Sequence, residues 1–214
     1  RARGHFEQAL GLAGEAFGSD HPATWKAHFD LGKAMVEQIS QDPQTLEHLK
    51  AALRLVGLAL GPGSIKAGEV HLQIALHYDN NDNLELARDH AAAAADIYRA
   101  LGLPVAQDQR FNALRMLGYT LNELGEFAKA LPIREQLLAA TAKNDLDELL
   151  RSHLELAITL NSLHRWQDAL HRAEAACLLA DILDLDADDP LRTQAAQARA
   201  TATGGLQSPA NDTP

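Results

Sequence analysis

Ten histidines and one cysteine stand in a chain of 214 residues, so the first chemistry to weigh is metal binding and proton transfer. His28, His71 and His153 each stand three residues before a pair made of Leu or Ile and a small residue: Leu31-Gly32, Ile74-Ala75 and Leu156-Ala157. They therefore occupy one recurring place. Packed helices lie about 8–10 Å apart. One ion with nitrogen ligands at about 2.0–2.1 Å could not bridge rings on successive repeats. The three are expected to pack against a neighbouring helix. His164, Asp168 and His171 follow i, i+4, i+7 and would share a helix face. No second helix obviously completes a ligand set there, so a solvated face is expected. Asp184-Leu185-Asp186-Ala187-Asp188-Asp189 opens like a calcium loop, but Asp189 stands where glycine is required and Ala195 where the closing glutamate belongs. Asp79-Asn80-Asn81-Asp82-Asn83 fails in the same way, with Leu84 and His90 at those places. Cys177, beside Leu178 and Leu179, reads as a buried structural thiol. No phosphate loop, dinucleotide fingerprint, zinc-protease motif or nucleophile elbow occurs. No catalytic residue, metal or cofactor is expected, and the chain does not read as an enzyme.

Composition narrows the classes further. The formal charge is −10, from 19 basic and 29 acidic residues, and no Lys/Arg block supplies the basic face that nucleic acid needs. A lone cysteine permits no intramolecular disulfide, which fits a reducing compartment. No apolar run approaches the length of a membrane span. A cytoplasmic location is expected, with no nucleic-acid and no membrane partner. The chain opens Arg1-Ala2-Arg3-Gly4, without an initiator methionine or signal peptide, and is expected to be a piece of a longer protein.

The elements that must position any site are helices. Hydrophobic residues make up 46% of the chain and aromatics 5%; the apolar mass is mostly Ala and Leu, which are strong helix formers. Two landmarks recur. The Leu-or-Ile/small pair falls at Leu31-Gly32, Ile74-Ala75, Leu117-Gly118 and Leu156-Ala157. A large apolar residue with a second residue three later falls at Phe6/Ala9, Leu46/Leu49, Leu84/Ala87, Phe127/Ala130 and Trp166/Ala169. Both repeat about every 40 residues, which marks a repeat architecture. Breakers keep step: Gly18 to Pro22, Gly61 to Ser64, Gly102 to Pro104, Lys143 to Asp145 and Asp188 to Pro190 between repeats, and Asp42-Pro43, Asn80 to Asn83, Gly125 and His164 within them. Leu114, Leu117, Leu121 and Leu124 form one apolar stripe at helical spacing.

Leu117-Gly118, followed by Gly125-Glu126-Phe127-Ala128-Lys129-Ala130, resembles the tetratricopeptide repeat. The long period, Gly18-Ser19-Asp20-His21-Pro22 and Ala130-Leu131-Pro132-Ile133-Arg134-Glu135 are similar to the longer variety found in kinesin light chains and many bacterial regulators. The resemblance implies an all-α, right-handed α-α superhelical solenoid of about five helix pairs over residues 1–202. Its expected parts are a second helix only in 1–20, repeats at 22–61, 64–102, 104–143 and 145–187, a capping helix at 189–202, and a flexible tail at 203–214. Within 22–61 the inter-helix segment is longer, and Leu49 replaces the usual small residue.

The same resemblance implies that the first helix of each repeat lines a concave groove for a protein or peptide. Register on the landmark pairs places Lys26, Phe29, Lys33, Val36 and Glu37 there, then Glu69, Leu72, Leu76, Asp79 and Asn80. Asn112, Arg115, Tyr119, Asn122 and Glu123 follow, then Arg151, Leu154, Ile158, Asn161 and Ser162. Tyr119, Asn122, Arg115 and Asn161 are expected at its centre. The Asn pair of kinesin-light-chain repeats is replaced by Phe29-Asp30, Leu72-Gln73, Arg115-Met116 and Leu154-Glu155. An interaction scaffold is the first expectation; a peptide-sensing input domain of a bacterial-type signalling or transcription regulator is the alternative. Phe6, Ala9, Leu10, Ala13 and Phe17 form a stripe that the following helix can cover only in part, so this edge is expected to be covered by a second copy of the chain, as a homodimer, or by upstream sequence of a longer protein.

Overall fold

The computed structural model describes residues 2–38 and 42–208. Among the described residues 82% are helical and none are strand. The helices are α1 (Ala2–Phe17), α2 (Trp25–Glu37), α3 (Gln44–Leu60), α4 (Ile65–Asp79), α5 (Leu84–Leu101), α6 (Gln107–Glu123), α7 (Phe127–Ala140), α8 (Leu146–Ser162), α9 (Trp166–Ile182) and α10 (Pro190–Gln207). The chain divides into two compact units, Arg1–Thr120 and Leu121–Pro214. In the first, each helix from α1 to α5 packs on the next, and α2 also touches α4. In the second, α7 to α10 pack consecutively, and α8 also touches α10. First helices of successive pairs are thus neighbours, as tetratricopeptide-like stacking requires.

The turns inside the pairs recur as the sequence anticipates. Asp82, Gly125 and His164 stand at one repeat position and all are left-handed, with φ of 56°, 72° and 57°. Each lies in a helix-ending motif whose six-to-one bond runs from Asn83 N–H to Tyr78 O, Glu126 N–H to Leu121 O, and Arg165 N–H to Leu160 O, at 2.8–2.9 Å. Several first helices start on side-chain caps: Ser64 accepts from the Ala67 N–H, and Asp145 from Glu148.

Register in α3 differs from the sequence reading. Buried positions run Thr45, Leu49, Ala52, Val56 in α3, Ala87, Ala91, Ala94, Tyr98 in α5, and Ala169, Ala173, Ala176, Ala180 in α9. Thr45, not Leu49, therefore matches the small residue of the other repeats. The segment before α3 is only one residue longer than in the other pairs, and a match on Leu49 falls one helical turn too late. Leu49 falls where α5 and α9 carry Ala, and the facing Gly32 makes room: a Cβ there would meet Leu49 Cδ2 at 2.8 Å. Gly68 does the same for buried Tyr98, whose ring carbon would lie 2.7 Å from an added Cβ.

The last helix also differs. Residues 203–207, expected to be tail, belong to α10. The pair Gly204-Gly205 does not break the helix, because the Trp166 ring lies directly against Gly205 where any side chain would stand. The tail from 209 to 214 lies outside the described residues. In α1, Phe6, Leu10 and Ala13 are half-buried, but Ala9 is exposed and Phe17 is 57% exposed, stacked on His21.

Candidate partner-binding site

The residues assigned to the groove stand on α2, α4, α6 and α8, and their surroundings separate them into three groups. On α2 and α4 the charges pair along their own helices: Lys26 with Asp30 at 2.6 Å, Lys33 with Glu37 at 3.8 Å, and Lys66 with Glu69 at 2.8 Å. Phe29 contacts Trp25, with ring centroids 6.3 Å apart; Phe29 and Leu76 pack on the core, and Leu72 is half-buried. Val36 is buried, so it belongs to the core and not to the binding face. On α6, Asn112 and Arg115 are exposed and Arg115 donates to Asn112 at 3.4 Å, while Tyr119 is 42% exposed.

Two amides expected to grip a partner grip the protein instead. Asn122 and Asn161 hold one repeat position. Asn122 Nδ2 donates to Thr159 Oγ1 at 3.0 Å, and Asn161 Nδ2 donates to the Ala198 carbonyl at 2.9 Å, each reaching 37 residues along the chain. Asn161 is only 8% exposed. The expectation that Asn161 presents an amide to a partner does not hold: it clasps α8 to α10. Asn122 likewise ties the end of α6 to α8.

What the second unit does present is a cleft of about 490 Å³. Arg151, Leu154, Glu155 and Ile158 of α8 form one wall; Asp189, Pro190, Leu191 and Gln194 at the start of α10 form the other. Arg151 and Ile158 are exposed, whereas Leu154 is buried and makes the floor. Asp189 caps α10, its carboxylate accepting from the Leu191 and Arg192 N–H groups. Glu155 pairs with Arg134 of α7. Arg134 is 3% exposed, and burial pulls its guanidinium below the ordinary value against the opposing pull of Glu155. The Arg134–Glu155 pair thus anchors the cleft wall from behind. The α10 wall was not anticipated, because that helix reads as a polar cap. The arrangement offers an apolar floor, an exposed aliphatic side chain, a cation and an amide, the kinds of group that recognition surfaces combine.

The histidines take their expected place between helices, with partners that repeat spacing alone did not reveal. His28 faces His48, and His71 faces His90, with Nδ1–Nδ1 distances of 3.1 and 3.0 Å. Ring centroids are 5.3 and 5.1 Å apart, close to the nitrogen separation plus a ring radius on each side. The nitrogens therefore point at each other, as in an N–H···N bond, and do not converge on a third point. Among the described residues no three His, Cys, Asp or Glu side chains gather as an ion's ligand set. Asp168 pairs with Arg165 at 2.5 Å, which turns it away from an acid–base role with His171. Cys177 packs at the edge of the α8–α9–α10 core, and burial pushes its thiol up, away from the reactive thiolate. No helix among the described residues is long and apolar enough to cross a membrane.

No protein-family model matches the chain, and no curated protein matches it. Solved structures do. A kinesin light chain from Podosopora anserina with nearly identical TPR-like repeats superposes with a TM-score of 0.68 at 18% identity, over 87% of this chain and 88% of that one. A single-substitution variant of it gives the same values. The apo form of RapI superposes with a TM-score of 0.62 at 13% identity, over 85% of this chain and 50% of that one. Together with helices that pack consecutively in repeating pairs, these likenesses establish the fold: the chain is a TPR-like helical repeat structure.

Proposed function

We propose that this chain is a binding scaffold for a protein or peptide segment, not an enzyme, and that the α8–α10 cleft is its principal contact site. The observation that carries this reading is the cleft itself. Arg151 and Ile158 stand exposed over buried Leu154, opposite Leu191 and Gln194. A peptide laid along α8 would set an apolar side chain against Ile158 and Leu191 and a carboxylate or carbonyl near Arg151. Lys26, Lys33, Glu69, Asn112, Arg115 and Tyr119 in the first unit are secondary candidates, since most of the charges there already pair along their own helices. The structures it resembles support a scaffold through fold alone.

A displayed library of short peptides, selected on the immobilised chain, tests the site. Enriched peptides should bind wild type and lose at least about tenfold on an Ile158→Asp/Arg151→Glu double variant, as expected when a central contact of about 1.4 kcal/mol or more is removed. Peptides that bind both forms equally would place recognition elsewhere.

A further inference from the structure

We propose that His28·His48 and His71·His90 are two proton-sensitive ties, each a single Nδ1–H···Nδ1 hydrogen bond, that hold α2 to α3 and α4 to α5 and release when acid fills both rings. Two independent examples carry this. The pairs stand at the same place in successive repeats, and their separations and ring tilts of 40° and 39° agree closely. A neutral imidazole offers one donor and one acceptor nitrogen, and an imidazolium offers two donors. A closed pair can therefore take up one proton, on the outer nitrogen of its donor ring. A second proton would set two Nδ1–H groups against each other. The open pair can bind one on each ring, so acid favours opening by mass action.

The neighbours refine the picture. The Ser19 backbone lies at His28 and favours its charged form. Either ring of a pair can be the donor, the tautomers deciding which. Around this pair stand Asp20 and Arg54 at His28, and Arg3 and Glu7 of α1 with Asp42 and Glu47 at His48. Around the second pair stand Asp89 and Lys50 at His90, with the Tyr78 ring 5.7 Å from it; no carboxylate acts on His71. Burial is the largest influence on all four rings and holds each below the ordinary imidazole value, His71 at about 4. Four acids oppose the depression of the first pair and none acts on His71, so acid is expected to open the second pair more strongly than the first. The sign follows from the depressed values: the ties contribute fully above about pH 6.5 and weaken as pH falls toward the folded-state values.

The test uses the whole chain. Nitrogen-15 spectra of the histidine rings at pH 7.5 should show, in each pair, one ring as the Nδ1–H tautomer and the other as the Nε2–H tautomer. Amide exchange, corrected for its intrinsic pH dependence, should show the opening equilibrium of α4–α5 rising roughly twentyfold from pH 7 to 5 through His71 alone. A His71→Leu/His90→Ile variant carries the apolar residues the chain itself uses at the corresponding places, Leu114 and Ile133. It should lose that response in α4–α5 and keep it in α2–α3. Rings titrating near the free value, or a variant with the wild-type response, would overturn the proposal. So would zinc chloride protecting both pairs stoichiometrically at pH 7, since that would make them ion ligands. The ring spectra of the natural chain decide the matter even if the variant does not fold.

Discussion

The two units use the same helix-pair scaffold but put their buried polar ties in different places. In the first, the ties lie inside a pair: His28·His48 joins α2 to α3 and His71·His90 joins α4 to α5. In the second, they lie between successive pairs: Asn122·Thr159 joins α6 to α8, Arg134·Glu155 joins α7 to α8, and Asn161·Ala198 joins α8 to α10. The contrast is sharpest at one repeat position. His153 stands where His28 and His71 stand, but its counterpart across the pair is Arg172, and its buried Nδ1 has no hydrogen-bond partner. A guanidinium cannot accept a hydrogen bond and keeps its charge at every relevant pH, so no shared proton is possible there. The scaffold fixes where two side chains meet; the residue types decide whether the meeting is a titratable tie or no tie at all. Inter-pair clasps also set the spacing of first helices, and the cleft opens between two such helices, α8 and α10.

The largest effect among the polar ties should come from breaking the most deeply buried clasp. Arg134→Met would remove the buried guanidinium that pairs with Glu155 and should cost about 3 kcal/mol, at the lower end for a broken buried pair because Glu155 is partly exposed. Urea unfolding of the two proteins reads this directly. A cost below about 1 kcal/mol would mean that the pair does not hold α7 to α8.

Close packing ranks next. Gly68→Ala would drive a methyl group into the Tyr98 ring, which is fully buried and has nowhere to turn; overpacking of this kind costs about 1–3 kcal/mol. Gly32→Ala should cost less, because its nearest obstacles, Leu49 Cδ2 and Cγ at 2.8 and 2.9 Å, belong to an aliphatic side chain that can change rotamer, whereas the Tyr98 ring is rigid. If thermal unfolding shows the two substitutions equal, the Tyr98 ring yields more easily than its burial implies.

These positions also show what a sequence can reveal. The Leu-or-Ile/small pairs and the turn residues Asp82, Gly125 and His164 act within one repeat, so periodicity exposes them, and the helix pairs follow. Leu49 stands one helical turn past the true match, Thr45, which does not read as the small apolar residue that Ala supplies in the other repeats. Gly204-Gly205 read as a break because the Trp166 ring that rests on it stands 39 residues earlier. His48 and His90 went unnoticed as partners for a similar reason: each answers a histidine 19 or 20 residues away, across a turn. Register on α8 placed Arg151 and Ile158 on one face of that helix, and both line the α8–α10 cleft. Asn161 was misassigned because its position in the repeat is the same whether the amide faces a partner or the next helix.

Asn161 gives a smaller and more specific test. Asn161→Ala removes one buried hydrogen bond to a neutral carbonyl and should cost about 1 kcal/mol. It should also loosen α10 on α8, seen as faster amide exchange in α10 with α9 little changed. Uniform acceleration across the second unit would mean that the amide supports the fold generally and does not act as a clasp between those two helices.

The smallest effect is expected at the centre of the proposed site. Ile158 is 39% exposed, so little apolar area leaves the core when it is replaced, and Ile158→Ser should change stability by no more than about 0.5 kcal/mol. Leu154, one turn earlier on α8 and 2% exposed, serves as the control: Leu154→Ala should cost about 2–5 kcal/mol through the cavity it leaves. The two side chains line the same cleft, yet only one is held there by packing. An exposed aliphatic residue that the fold does not need, set above a floor that it does need, is what a recognition surface requires, because it can be buried a second time by a ligand. If Ile158→Ser proved as costly as Leu154→Ala, then Ile158 would already be part of the α8–α10 packing, and the cleft would lose the apolar contact on which its proposed role depends.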